Sequence, residues 1–230
     1  MNKIIKKEEL YSFDHWWVKW THTFSFNNYY DPNNMNFGNL IVFNDDYIEA
    51  NSWFPMHPHA NAEILTIMLE WTLTHTDTLW NKEDIKNSEI QTMTAGTWLF
   101  HSESNETNYQ THSYQIWFKT NKLDSKPSYK NHKINLEENK LNLLVSWDKN
   151  KSAWFLNADV EVYRWIYNKE NTLEYKIKKW RWLFLYMTKW NINIDWKEIT
   201  KKDHIRYTKE WIYSIKTKEN SDFMLIDVEI

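Results

Sequence analysis

Five of the nine histidines fall between residues 57 and 112: His57, His59, His75, His101 and His112. His57-Pro58-His59 sets two imidazoles at i and i+2, which on a strand point to one face. Glu63 follows four residues later. His101-Ser102-Glu103 repeats the spacing with an imidazole and a carboxylate. A lone His-x-His is a weak signal, since exposed or core polar residues give it too. Two such pairs about forty residues apart, on neighbouring strands, supply four ligands to one divalent cation. A mixed nitrogen and oxygen set with open positions suits non-haem Fe(II); Mn, Ni, Cu and Zn also fit. His75 and Asp77 stand two apart, a spacing that either orients a ligand imidazole or stabilises a turn. His112, on a strand, reads as a satisfied polar residue.

Elements able to hold such pairs are short strands separated by turns. Branched and aromatic content predicts strands at 40–50, 63–70, 91–95, 113–119, 141–146, 160–166, 183–188, 191–194, 211–216 and 223–230. No stretch carries convincing helical periodicity. Regular short strands with turn signals predict an all-β chain of sandwich or barrel type. The polar, proline-bearing stretch 121–140 reads as a linker or exposed loop. It divides the chain into two consecutive β units, 1–120 and 141–230, with no clean repeat between them. The Lys/Glu-rich stretch 168–181 reads as solvated surface.

Composition narrows the function classes. The chain has 230 residues, a formal net charge of −3 and no cysteine. Disulfides, thiolate metal sites and thiol catalysis are therefore excluded. The charge argues against direct nucleic-acid binding, which shows a strong basic excess. No run reaches the ~18 apolar residues of a membrane span. The charged start MNKIIKKEEL lacks an apolar signal core. A cytoplasmic protein is expected.

One ratio is abnormal: 2 glycines against 16 tryptophans. Ordinary glycine usage of about 7% would give about 16. Tryptophans also stand where turns call for glycine, as in Asp195-Trp196 and Lys189-Trp190-Asn191. A stacking or carbohydrate surface and a plain aromatic core are two readings. A third is that many of these positions are glycine in the native protein, encoded by UGA codons that some bacterial lineages read as glycine.

The segments HTFSFNNYYDP (22–32), LIVFNDDYIEA (40–50), HPHANAEILTIMLE (57–70), HTDTLWN (75–81) and MTAGTWLFHSESN (93–105) carry a resemblance. They look like the pirin family of the cupin superfamily. The resemblance is nearly continuous over 15–118 and weaker beyond 140, where VEVYRW (160–165) is the clearest match. It implies a bicupin of two antiparallel jelly-roll barrels with metal only in the first. Carried over by motif, the ligands are His57, His59, His101 and Glu103, with Glu63 in a structural role and His22, Tyr29 and Tyr30 structural near the barrel mouth. Members resemble quercetin 2,3-dioxygenases, which implies a metal, O₂ and a small aromatic or enolic substrate, with Glu103 also as the base that accepts the substrate's proton. The family name also covers regulators, so an iron- or redox-sensing protein with a regulatory partner is an alternative, and an inactive structural cupin another. The resemblance further implies glycine at Trp53, Trp71, Trp80 and Trp98, which with Trp190 and Trp196 makes six candidates. It implies genuine tryptophan at Trp17, Trp117 and Trp165. Real tryptophans at 53 and 98 would be expected to crowd the metal pocket.

Overall fold

The computed structural model describes residues 3–194, 197–217 and 220–230. Among them the only helical element is a 3₁₀ turn, Lys7–Glu9; the rest is strand, turn and loop. The strands form two sandwiches, each with one seven-stranded and one four-stranded sheet. The sheets stay separate, so each unit is an open jelly roll and not a closed barrel.

In the first unit the large sheet runs Ser128–Lys133, Glu89–Thr94, Ala62–Glu70, Thr111–Lys119, Leu40–Ile48, Val18–His22, Tyr11–His15. Its small sheet runs Ser52–His59, Leu99–Asn105, Thr72–Asp77, Lys82–Lys86. In the second unit the large sheet runs Lys3–Ile5, His204–Tyr207, Arg181–Lys189, Ser221–Glu229, Val160–Tyr167, Lys140–Ser146, Trp154–Phe155. The first of these strands comes from the chain's start, which thus crosses to the far unit; Lys6 Nζ anchors it to Asp203 at 2.7 Å.

Alternation along the strands builds three interiors. Outward faces of the two large sheets bury Phe43, Tyr114, Ile116, Val162, Phe184, Tyr186 and Ile226 in one apolar cluster that joins the units. The second unit's own interior is one continuous cluster including Leu183, Leu185, Met187, Ile205, Ile215 and Leu225. The first unit's interior is broken into two small clusters, one around Met68, Leu73 and Ile85, the other around Ile64, Met93 and Leu99. Thr66, between Ile64 and Met68 on the same face, marks the polar gap between them.

Two stretches differ from their sequence reading. Within 121–140 the segment Ser128–Lys133 is a strand paired with Glu89–Thr94. Within 168–181 the segment Asn171–Lys176 pairs with Ile212–Thr217 and packs Leu173 and Tyr175 on the second core. Both are edge strands, where lysine and glutamate are tolerated because one face stays wet. No helix of the described residues is long and apolar enough to cross a membrane.

The tryptophan candidates divide. Trp71, Trp80 and Trp190 have φ of +63°, +69° and +62°, and Trp180 joins them at +65°. Trp53 and Trp98 keep ordinary φ; the left-handed residue of the turn before His101 is Gly96, at +55°. Nor do those two crowd the pocket: both are more than half exposed, and neither lines the cavity of the site. Trp196 lies outside the described residues.

Candidate metal centre

Three imidazoles meet where the small sheet faces the large one. His57 and His59 end the Ser52–His59 strand, and His101 lies opposite His57 on Leu99–Asn105. A bulge sets Glu103 opposite Phe54, so two residues of one strand face one of the other. Ligand nitrogens of His57, His59 and His101 all lie within 4.8 Å of one another. The Nε2 atoms of His59 and His101 are 2.8 Å apart.

The hydrogen bonds fix which nitrogens face inward. His57 Nδ1 donates to the Pro55 carbonyl at 2.8 Å, leaving Nε2 as its free lone pair. His75 Nε2 donates to Asp77 Oδ2 at 2.9 Å, which leaves its Nδ1 as an acceptor. Into that lone pair point Gln91 Nε2 at 3.0 Å and His101 Nδ1 at 3.2 Å. His101 therefore carries its proton on Nδ1, and its Nε2 is free for a cation. Asp77 is itself held by Asn81 Nδ2 and by the Leu79 and Asn81 amides. The pair at 75 and 77 thus serves both readings left open by its spacing: it caps a turn and orients His101.

The polar gap continues beyond His75. The Thr66 hydroxyl donates to Gln91 Oε1 at 2.8 Å and lies 3.2 Å from Gln115 Oε1. Gln115 Nε2 donates to both Glu103 oxygens, at 3.1 and 3.2 Å. A buried chain, His101–His75–Gln91–Thr66–Gln115–Glu103, therefore links two of the residues expected as ligands. Glu103 is not one of the three clustered groups; its carboxylate lines the same cavity and faces Gln115.

Electrostatics suit a cation. Burial, reinforced by His57 and His75, lowers His59 to about 4. Burial and the same crowding of imidazoles push His101 far down. Neutral imidazole is the form that ligates metal, and burial favours it at His59 and His101. Burial pushes Glu103 up to about 7, against the hydrogen bond from Gln115. Three convergent imidazoles, those of His57 and His101 with tautomers set by their hydrogen bonds, fit a borderline divalent transition metal.

The cavity beside them has a volume of about 410 Å³. Trp20 and Phe54, stacked at 5.5 Å and 8°, form one wall, and Trp117 another. Trp117 also meets His59 edge-on at 4.7 Å. Asn27, Asn44, Asp46 and Gln115 add polar groups to the lining beside His57, His101 and Glu103.

The other residues singled out lie away from this chemistry. Glu63 accepts from the Thr94 and Thr120 hydroxyls and the Asn157 amide, tying the first unit to the second. His112 Nε2 donates to Asp45 at 2.7 Å between the large sheets. His22 is packed among Tyr11, Trp20 and Phe26. Tyr29 stacks on Tyr11, and Tyr30 is exposed. Thr66, Gln91 and Gln115 escaped sequence reading, because a neutral polar residue in a strand carries no signal of its own. Asn44 and Asp46 had one: with Asp45 they put three polar residues in a row in the otherwise apolar strand LIVFNDDYI.

Comparison with known proteins agrees with this geometry. Residues 5–118 match the family model described as Pirin, and 143–228 match the quercetinase C-terminal cupin domain. A quercetin 2,3-dioxygenase of Escherichia coli K12 is 36% identical over 216 residues, covering 94% of this chain and 93% of that protein. A pirin-like protein of Caulobacter vibrioides is 30% identical over 217 residues, covering 93% and 94%. The crystal structure of the bacterial pirin YhhW from Escherichia coli in complex with nickel(II) superposes with a TM-score of 0.94 at 35% identity, covering 100% of this chain and 99% of that one.

Proposed function

The chain belongs to the pirin family, and from that premise we propose that it is a metal-dependent dioxygenase acting on a flavonol such as quercetin or a similar enol or phenol. One observation carries the reading: the convergence of half-buried His57 with buried His59 and His101 at the foot of an aromatic-walled cavity. The relatives named quercetin 2,3-dioxygenase support the reaction class.

In this reading His57, His59, His101 and Glu103 hold one Fe(II). The metal supplies Lewis acidity toward the substrate oxygens and a place for O₂. The protein's own part is positioning. Trp20, Phe54 and Trp117 take a planar ring system and exclude water. Glu103, near neutral in its proton affinity, accepts the proton of an acidic substrate hydroxyl. Gln115 holds the carboxylate in place as it does so. The metal belongs to the first unit, within residues 1–120; the second unit, built mainly from 141–230, is without metal. A cytoplasmic location completes the reading.

The test is reconstitution with Fe(II), followed by metal analysis and oxygen uptake with quercetin. Uptake that disappears in His57→Ala and Glu103→Ala is the expected result. Tight metal binding without turnover on a flavonol panel would overturn it in favour of a sensor.

A further inference from the structure

The Leu40–Ile48 strand brings two polar side chains to the cavity beside the metal centre. Asn44 and Asp46 lie on one face of the strand, only 2% and 6% exposed, and both line the cavity. Each has a buried Oδ1 with no hydrogen-bond partner in the protein. Buried polar atoms are nearly always satisfied, and a carboxyl left so is costly unless something else completes it. The neighbouring Lys202 turns to Asp45 at 3.5 Å. Asp45 faces the second unit, bonding Tyr186 at 2.9 Å.

We propose that Asn44 and Asp46 form the subsite that reads hydroxyl groups on the part of the substrate remote from the metal. The inference rests on the dioxygenase reading and narrows its substrate to a planar polyhydroxylated aromatic. The ring lies along Trp20 and Phe54, and its hydroxyls meet the amide and carboxyl that these two side chains present to the cavity. An aromatic without those hydroxyls leaves both groups unpaired, which is how a site rejects an analogue.

Quercetin and galangin, a flavonol with no hydroxyls on its pendant ring, supply the probe pair. The reconstituted protein should prefer quercetin in kcat/KM by at least about tenfold, the worth of one net hydrogen bond. Asp46→Leu and, as a second variant, Asn44→Leu should lose that preference while keeping metal content. A preference that survives in both variants overturns the subsite. Turnover of neither flavonol by the unaltered protein fails the dioxygenase reading by itself. The subsite is then decided by catechol quenching of tryptophan fluorescence: weaker binding to Asp46→Leu supports it, and equal binding overturns it.

A separate observation carries a second inference. Twelve described residues other than glycine have positive φ. Eight are Asn27, Asn51, Asn61, Ser88, Asp124, Asn139, Lys202 and Asn220, mostly of types that tolerate the left-handed region. The other four are Trp71, Trp80, Trp180 and Trp190. None of the 13 tyrosines and 11 phenylalanines does this, so aromatic bulk is not what the turns select. All four tryptophans are also substantially exposed. Left-handed, exposed and at strand ends is the signature of glycine. We infer that positions 71, 80, 180 and 190 are glycine in the native protein, from UGA codons decoded as glycine.

Peptide masses of the protein from its source organism decide this. Glycine masses at the four positions are expected; tryptophan masses overturn the inference. As an independent check, a chain with all four replaced by glycine should melt several degrees higher. An unchanged or lower melting temperature would count against it.

Discussion

On the third strand of the first unit's large sheet the inward residues are Ile64, Thr66 and Met68; on the third strand of the second unit's they are Leu183, Leu185 and Met187. The neighbouring strands repeat the contrast: Gln91 and Gln115 face inward in one unit, Ile205 and Leu225 in the other. Both sandwiches use the same alternation and the same antiparallel pairing. One fills its middle with hydrocarbon and gains stability from dispersion and burial. The other gives up that middle to a hydrogen-bonded chain ending in His101 and Glu103. The return of the polar chain is orientation, not stability.

The contrast predicts that equivalent insults have opposite readouts. His101→Leu should abolish metal loading and lower activity by about 10³-fold or more, while the metal-free protein melts no lower than the unaltered one, because a buried imidazole cluster is replaced by hydrocarbon. Leu185→Ala should lower stability by about 2–5 kcal/mol and leave the metal content per folded molecule unchanged. Metal analysis beside denaturant melts reads both. Unfolding of His101→Leu at the same cost as Leu185→Ala would erase the difference between the two interiors.

A milder change sharpens the point. Asp77→Ala removes the acceptor that fixes the proton on His75 Nε2. His75 Nδ1 then loses its enforced acceptor role, and His101 its fixed tautomer. Metal affinity should fall about 10–100-fold, with the three ligands intact, in a competition titration against a chelator. An unchanged affinity would make the pair a turn cap only.

What was legible in the sequence follows the same division. The spacing of His57, His59, His101 and Glu103 announced itself because i,i+2 pairs of charged or ligating types are rare in strands. The supporting glutamines did not, since Gln91 in EIQTMT has the pattern of any half-exposed strand. Strands apolar on both faces, such as Ala62–Glu70 and Ser221–Glu229, carried a clear signal; Val18–His22, Thr72–Asp77, Leu99–Asn105 and His204–Tyr207, which mix in polar residues, were not named although they lie inside their sheets. Edge strands Ser128–Lys133 and Asn171–Lys176 were not named either, because the lysines that protect an edge also resemble a loop. The turns at Trp71 and Trp190 were legible in reverse, from a residue that does not belong there.

The seam between the units should show a smaller, pH-dependent effect. Asp45 is fully buried in it, and burial raises its proton affinity. The hydrogen bond and charge of His112, with Lys202 and Tyr186, outweigh this and hold the carboxyl below its ordinary value. A folded-state pKa below the unfolded one means that the folded chain binds the proton less tightly. The stability this confers is complete above the unfolded value of about 4 and is lost as pH falls through the folded one. Asp45→Asn should therefore lower stability at pH 7 and flatten its decline under acid. Parallel urea melts across the acid range would show it, and curves that stay the same distance apart at every pH would mean that Asp45 binds the two units by shape alone.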